Sequence, residues 1–197
     1  SSGEIAALTE APGYKANPTW SPDGLWIAYE RYFDTNLEIT IQEAKPDADP
    51  IQLTQHQAAD YAPAWSPAGR VIAFVSTRGG REQVWLAELD KSGEDRLSPI
   101  DVNGEHSAHH PTWRSDGQML TWASVGEDGL HKLYSWAPSR PNQSPRDDGS
   151  GDLPAWNQNG DVLYTTVLSP DQTYLTAYSM GEDEMVLPLL SLPGPVE

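Results

Sequence analysis

The sequence predicts an all-β chain of β-propeller blades, and three observations carry that prediction. A short phrase recurs four times, as Pro18-Thr-Trp-Ser-Pro-Asp-Gly, Pro63-Ala-Trp-Ser-Pro-Ala-Gly, Pro111-Thr-Trp-Arg-Ser-Asp-Gly and Pro154-Ala-Trp-Asn-Gln-Asn-Gly. Its tryptophans, Trp20, Trp65, Trp113 and Trp156, stand 45, 48 and 43 residues apart. A period in the forties marks an array of supersecondary units. Finally, apolar residues follow each tryptophan at matching offsets, which a β-sandwich with its own many short strands gives no reason to expect.

Each element follows in order. Four residues after each Trp comes Gly24, Gly69, Gly117 or Gly160, preceded in three copies by Asp23, Asp116 or Asn159. That pairing ends the phrase in a tight turn, where glycine accepts positive φ and an Asp or Asn side chain bonds turn amides. Ile27, Ile72, Leu120 and Leu163 come next, with Tyr29, Phe74, Trp122 and Thr165 two further on. Together with the residues between them they form a second strand flush against its neighbours. A third strand is expected at Leu37–Glu43, Gln83–Leu89, Lys132–Trp136 and Thr173–Ser179. The fourth is shorter, at Ile51–Thr54, Arg96–Ser98 and Met185–Ser191, and poorly marked around Gln143–Arg146 in the third copy. Each unit is thus a four-stranded antiparallel meander, the blade of a propeller. The expected blades span about 15–54, 60–98, 108–146 and 152–191, with an outer strand at 4–9 before them and a tail at 192–197. No window shows a capped helical period, so helix content is expected to be very low.

The phrase Pro-x-Trp-Ser-Pro-Asp-Gly, followed by Trp26-Ile-Ala-Tyr or Val71-Ile-Ala-Phe-Val-Ser, resembles the TolB-type (WD40-like) propeller repeat. The first two copies match well. The third replaces Ser-Pro with Arg114-Ser115, and the fourth keeps Pro154, Trp156 and Gly160. The repeated residues read as architecture, with each Trp packed between blades or beneath the turn and its indole N–H bonded at the blade edge. Rings of this type usually hold six or more blades, so the resemblance implies part of a larger propeller. The segment Glu4–Thr9 resembles Pro50–Thr54 and reads as a fourth strand lacking the first three. In the alternative, a closed four-bladed ring, Glu4–Thr9 would pair with Thr173–Ser179. An open array exposes two blade faces and is expected to self-associate or to pack on another domain of the parent chain.

Composition narrows the partners. With 29 Asp and Glu against 12 Lys and Arg, the formal charge is −17. Such a surface repels phosphate backbones and anionic lipid, so neither nucleic acid nor a membrane surface is an expected partner. No segment approaches the roughly 18 apolar residues of a membrane span, so no membrane insertion is expected. There is no cysteine, hence no disulfide framework or thiolate metal site. The resemblance implies a bacterial periplasmic or extracellular location.

Propellers bind at the mouth, on loops from the outermost strand of one blade to the innermost of the next. Here those loops are Ala11–Asn17, Gln55–Ala62, Ile100–His110 and Asp147–Leu153. The candidates for ligand contact are Lys15, Asn17, Asp60, Tyr61, His109, His110 and Asp152. His106, His109 and His110 carry metal-ligand chemistry, with Asp60 or Asp152 available from adjacent blades. Loop histidines this dense are more often exposed and incidental, and His56 and His131 read as isolated, so no metal or cofactor is expected. The acidic run Asp147–Asp152 lacks the twelve-residue calcium pattern and reads as a flexible loop. No Gly-x-Ser-x-Gly elbow, His-Glu-x-x-His pair or phosphate-binding loop appears. The expected function is a non-catalytic module that binds a protein or peptide through its loop face, as the resemblance implies. The alternative is the gating propeller of a larger serine peptidase of prolyl-oligopeptidase type. A third reading is a metal- or small-ligand-binding enzyme using His109 and His110 at the mouth.

Overall fold

A computed structural model describes residues 7–9, 12–100, 106–168, 172–179 and 186–193. Among them, four antiparallel sheets of four strands follow one another along the chain. The first blade holds β1 (Lys15–Trp20), β2 (Trp26–Phe33), β3 (Asn36–Glu43) and β4 (Ile51–Gln52). The second holds β5 (Asp60–Trp65), β6 (Val71–Ser76), β7 (Gln83–Glu88) and β8 (Leu97–Pro99), with one 3₁₀ turn at Gly93–Arg96. The third holds β9 (His106–Trp113), β10 (Leu120–Gly126), β11 (His131–Trp136) and β12 (Arg146–Ser150). The fourth holds β13 (Asp152–Trp156), β14 (Val162–Leu168), β15 (Gln172–Ser179) and β16 (Val186–Pro193).

The repeated phrase makes one turn four times. The amides of Gly24, Gly69, Gly117 and Gly160 donate to the carbonyls of Ser21, Ser66, Arg114 and Asn157, three residues back. Ser21, Ser66, Arg114 and Asn157 in turn donate to the carbonyls of Trp26, Val71, Met119 and Val162. Where the side chain of Asp23 or Asp116 caps the turn, it accepts from the amide of Leu25 or Gln118. The fourth copy has lost that aspartate, and Asn157 Oδ1 accepts from Gly160, Asp161 and Val162 instead. The turn survives because its geometry needs a carbonyl acceptor near the amides, from whichever residue supplies it.

Strand periodicity assigns each face of a blade to one neighbour. On β6, Ile72 and Phe74 pack with Ala28 of the first blade, while Ala73 packs with Trp122 of the third. On β10, Trp122 and Leu120 face the second blade and Ala123 faces the fourth. A large side chain from one blade thus meets an alanine from the one before, which keeps the seam closely packed. The apolar core is therefore not central but divided among the three seams, and β5, β9 and β13 each pack on the preceding blade.

The tryptophans report their seams. Trp65 and Trp113 are buried, and Trp113 Nε1 donates to the carbonyl of Ala64 in the preceding blade at 3.0 Å. Trp65 Nε1 instead donates to the carbonyl of Gly69 in its own turn. Trp20, with no described strand in front of it, is 57% exposed.

The four blades do not close a ring. The closed-ring alternative required Glu4–Thr9 beside β15, but β15 is already paired on both sides, with β14 and β16. Of that segment, residues 4–6 lie outside the described set and residues 7–9 form no strand. The carbonyl of Leu8 accepts from Gln42 Nε2 of the first blade. Two loop expectations also need correction. Asp147–Ser150 is no loop but most of strand β12, which pairs with β11 and is tied by Lys132 Nζ to Asp147 Oδ2 at 2.7 Å. Its charged, apolar-free sequence hides it, because an exposed edge strand needs ladder bonds rather than a hydrophobic face. The stretch His106–His110 likewise belongs to β9.

Candidate functional site

All four inner strands carry the same defect near their start. Asn17, Ala62, His110 and Leu153 have left-handed φ of 50–51°, and each precedes the proline of its phrase. The pairing with the second strand slips there in every blade. Proline has no N–H for the ladder, so the strand bulges around it. For side chains such as those of Ala62, His110 and Leu153 this backbone costs about 1–2 kcal/mol each. The offset leaves Ala16, Tyr61, His109 and Asp152, four residues before each tryptophan, at equivalent places on the loop end of the blades.

Polar groups from neighbouring blades meet at that end. Between the first and second blades, buried Glu30 accepts from Tyr14 Oη and Asn17 Nδ2, and across the seam from the Ala62 amide at 2.8 Å. The hydrogen bond from Tyr14 and the charge of Glu30 hold the Tyr14 phenol above its ordinary pKa. Within the second blade, Tyr61 Oη donates to Glu82 Oε1 at 2.7 Å. Burial first, and then that bond to Glu82, push the Tyr61 phenol far up. Asp60 is fully buried and paired with Arg78 at 2.6 Å, and the Arg78 guanidinium lies over the Trp85 ring.

Between the third and fourth blades two imidazoles and one carboxylate converge. Asp152 places Oδ1 at 3.4 Å from His109 Nδ1 and Oδ2 at 3.1 Å from His131 Nδ1. The His109 ring is edge-on to His131 at 5.9 Å between centroids, and its Nδ1 lies 2.8 Å from that of His110. Burial holds His109 below its ordinary pKa, and the charge of Asp152 opposes that shift.

These positions sort the sequence candidates. Tyr61, His109 and Asp152 occupy equivalent sites, and Lys15, Asn17 and His110 stand beside them on the inner strands. Asp60 also lies at this end, but it faces Arg78 with no solvent exposure. His106 opens β9, and its side chain is outside the described residues. Of the three histidines with metal-ligand chemistry, His109 and His110 have described side chains, and only His109 enters a group of convergent ligand atoms among the described residues. His109 groups with His131 of β11 and Asp152 of β13, which the sheet and the seam bring beside it. Glu30 and Glu82 escaped the sequence reading, in which His131 stood as isolated. They sit next to the hairpins between the second and third strands, which return to the same end as the blade-to-blade loops. In a meander every second connection lies at one end, so that signal was present in the strand order.

The loop end also exposes large side chains. Tyr14, Tyr32, Leu130 and Leu153 are 53%, 52%, 60% and 48% exposed. A cleft of about 690 Å³ between the second and third blades lies at the opposite end, lined by Leu86, Trp113, Trp136 and Pro138 among others. No helix among the described residues is long and apolar enough to cross a membrane.

Comparison with known proteins places this architecture. Residues 1–188 match the family described as the TolB beta propeller domain. The uncharacterized protein Atu1656 of Agrobacterium fabrum is 32% identical over 61% of this chain and 43% of its own length. The uncharacterized peptidase YuxL of Bacillus subtilis is 29% identical over 56% of this chain and 17% of its own. TolB from Acinetobacter baumannii superposes on 98% of this chain with a TM-score of 0.75 at 17% identity, and this chain covers 47% of it. The chain spans less than half the length of each of these proteins. With its repeats, strand order and nearly full-length match taken together, this chain belongs to the TolB β-propeller domain family.

Proposed function

We propose that this chain is a non-catalytic propeller segment that binds a protein or peptide through its loop end, within a larger and extracytoplasmic bacterial protein. The observation that carries the reading is the exposure of Tyr14, Tyr32, Leu130 and Leu153 around a polar floor. Aromatic and aliphatic side chains raised above hydrogen-bonding groups are the composition of a protein-binding surface. Family membership and the relative named "Tol-Pal system protein TolB", 29% identical over 41% of this chain, support it. Lys15, Asn17, Tyr61, His109, His110 and Asp152 then supply the polar contacts, and Asp60 supports them from below.

Site-specific photo-crosslinking in the full-length parent tests this. A benzophenone side chain at Tyr32 or Leu153 should give discrete protein adducts. The same group at Leu25 or Ile51, exposed at the opposite end, should give none. Equal labelling at both ends, or none at Tyr32 and Leu153, overturns the reading.

A second reading rests on the relative named as a peptidase, of which this chain covers 17%. There the propeller gates access to a hydrolase domain elsewhere in the parent. The 197-residue chain should then still lack peptidase turnover, while the parent cleaves peptides. Turnover by the chain itself that disappears in His109→Ala or His110→Ala contradicts both readings.

A further inference from the structure

We propose that His109, His131 and Asp152 form a three-ligand site for a divalent transition metal of the zinc class, joining the third and fourth blades. One ring nitrogen from each histidine and one carboxylate oxygen all lie within 4.8 Å of one another. Donors about 2.0–2.2 Å from a shared tetrahedral ion stand roughly 3.4 Å apart. Here Oδ1 of Asp152 is 3.4 Å from His109 Nδ1 and Oδ2 is 3.1 Å from His131 Nδ1, so the carboxylate bridges both rings at close to that spacing.

The bonding around His131 points the same way. Its Nδ1 is buried and lacks a hydrogen-bond partner, although Asp152 Oδ2 is only 3.1 Å away. Close contact without the angle of a hydrogen bond is what two ligands aimed at one common point produce. Leaving a buried ring nitrogen unpaired is otherwise costly. The preceding blade supplies the contrast. Strand register makes Tyr61 the equivalent of His109, and Glu82 the equivalent of His131. The backbone agrees, because the Ala108 amide donates to the Glu82 carbonyl as the Gly151 amide donates to that of His131. There the pair satisfies itself, phenol to carboxylate. In the third blade both positions are imidazoles, and the next blade adds a carboxylate.

Asp152 is also held in place. Thr165 and Thr166 hydroxyls donate to the Asp152 carbonyl, and the Leu153 amide donates to Asp152 Oδ1. Such support fixes ligand orientation before an ion arrives. Two imidazoles and a carboxylate suit zinc or a neighbouring transition ion better than calcium or magnesium. Three protein ligands leave a coordination position open at the loop end. The ion would also clamp a seam that, among the described residues, buries only the cluster of Ala123, Leu133 and Leu163.

The test titrates ZnCl₂ into the untagged, chelator-stripped 197-residue chain by calorimetry. One equivalent should bind, and His131→Ala or Asp152→Ala should each weaken it by about 10- to 100-fold or more, while His56→Ala leaves it unchanged. Long-range ¹H–¹⁵N spectra of the unmutated chain need no variant to fold. Zinc should shift the ring nitrogens of His109 and His131 and leave those of His56 in place. The proposal is overturned by the absence of saturable binding, by affinity retained in both alanine variants, or by shifts confined to His56 and His106.

Discussion

Asp60 shows how one residue can lie at the loop end without reaching its surface. Its carboxylate and the Arg78 guanidinium are both buried, and Arg78 also covers the Trp85 ring. Glu38 lies in the same electrostatic neighbourhood, its carboxyl raised by burial despite donors from the His56 amide and the Thr54 hydroxyl. Removing one member of a buried ion pair strands the other charge in low dielectric, at a cost of about 3–5 kcal/mol. Asp60→Ala should therefore lower the urea midpoint strongly, whereas Lys91→Ala, which breaks an exposed pair with Glu88, should leave it in place. Equal midpoints for the two variants would show that Asp60 does not support the inner strand as argued. From sequence, Asp60 was only a carboxylate near a loop. Its burial depends on Arg78, 18 residues away, arriving across the sheet.

At the scale of the element, the repeated turn is also a contact between blades. Gly24 and Gly117 have nearly the same φ, 70° and 69°, and would strain any other residue alike. Their surroundings differ. A Cβ at Gly117 would meet the Ala68 amide nitrogen at 3.1 Å and Ala68 Cβ at 3.3 Å, in the turn of the second blade. A Cβ at Gly24 meets nothing within 4 Å. Gly24→Ala should thus cost about 1–2 kcal/mol from backbone strain alone. Gly117→Ala should cost about 1–3 kcal/mol more, because overpacked backbone must move. Urea unfolding with unchanged m-values checks the difference, and equal losses would mean that the turns do not pack as described. The phrase made the turn legible. The neighbour that makes one glycine less replaceable than another was not.

At the scale of the whole molecule, no described strand stands in front of the first blade. Trp113 fills a seam and bonds to the blade in front, while Trp20, its equivalent, stands 57% exposed. Trp113→Ala should cost about 3–5 kcal/mol, as large-to-small changes in cores do. Trp20→Ala should barely change stability. In light scattering the 197-residue chain should show mass rising with concentration, since a bare blade face is costly in water. Trp20→Ala should reduce that rise. A monomer at every concentration would mean that the first blade's outer face is adequately solvated by itself.

The sequence by itself determined the repeat, the turn and the meander order within each blade, because all of these follow from spacing within some 45 residues. It also put Tyr61, His109 and Asp152 at equivalent offsets from their tryptophans. Only the tertiary structure decided which side chains share a seam. His131 looked isolated because its partners lie 22 residues before and 21 after it in the chain, on other strands and, for Asp152, on another blade. Strand β12 was illegible for a different reason, since ladder bonds between backbones leave no mark on side-chain pattern. Distances between blades are set by packing of one repeat on the next, and a convergence of two imidazoles with one carboxylate exists only once that packing is in place.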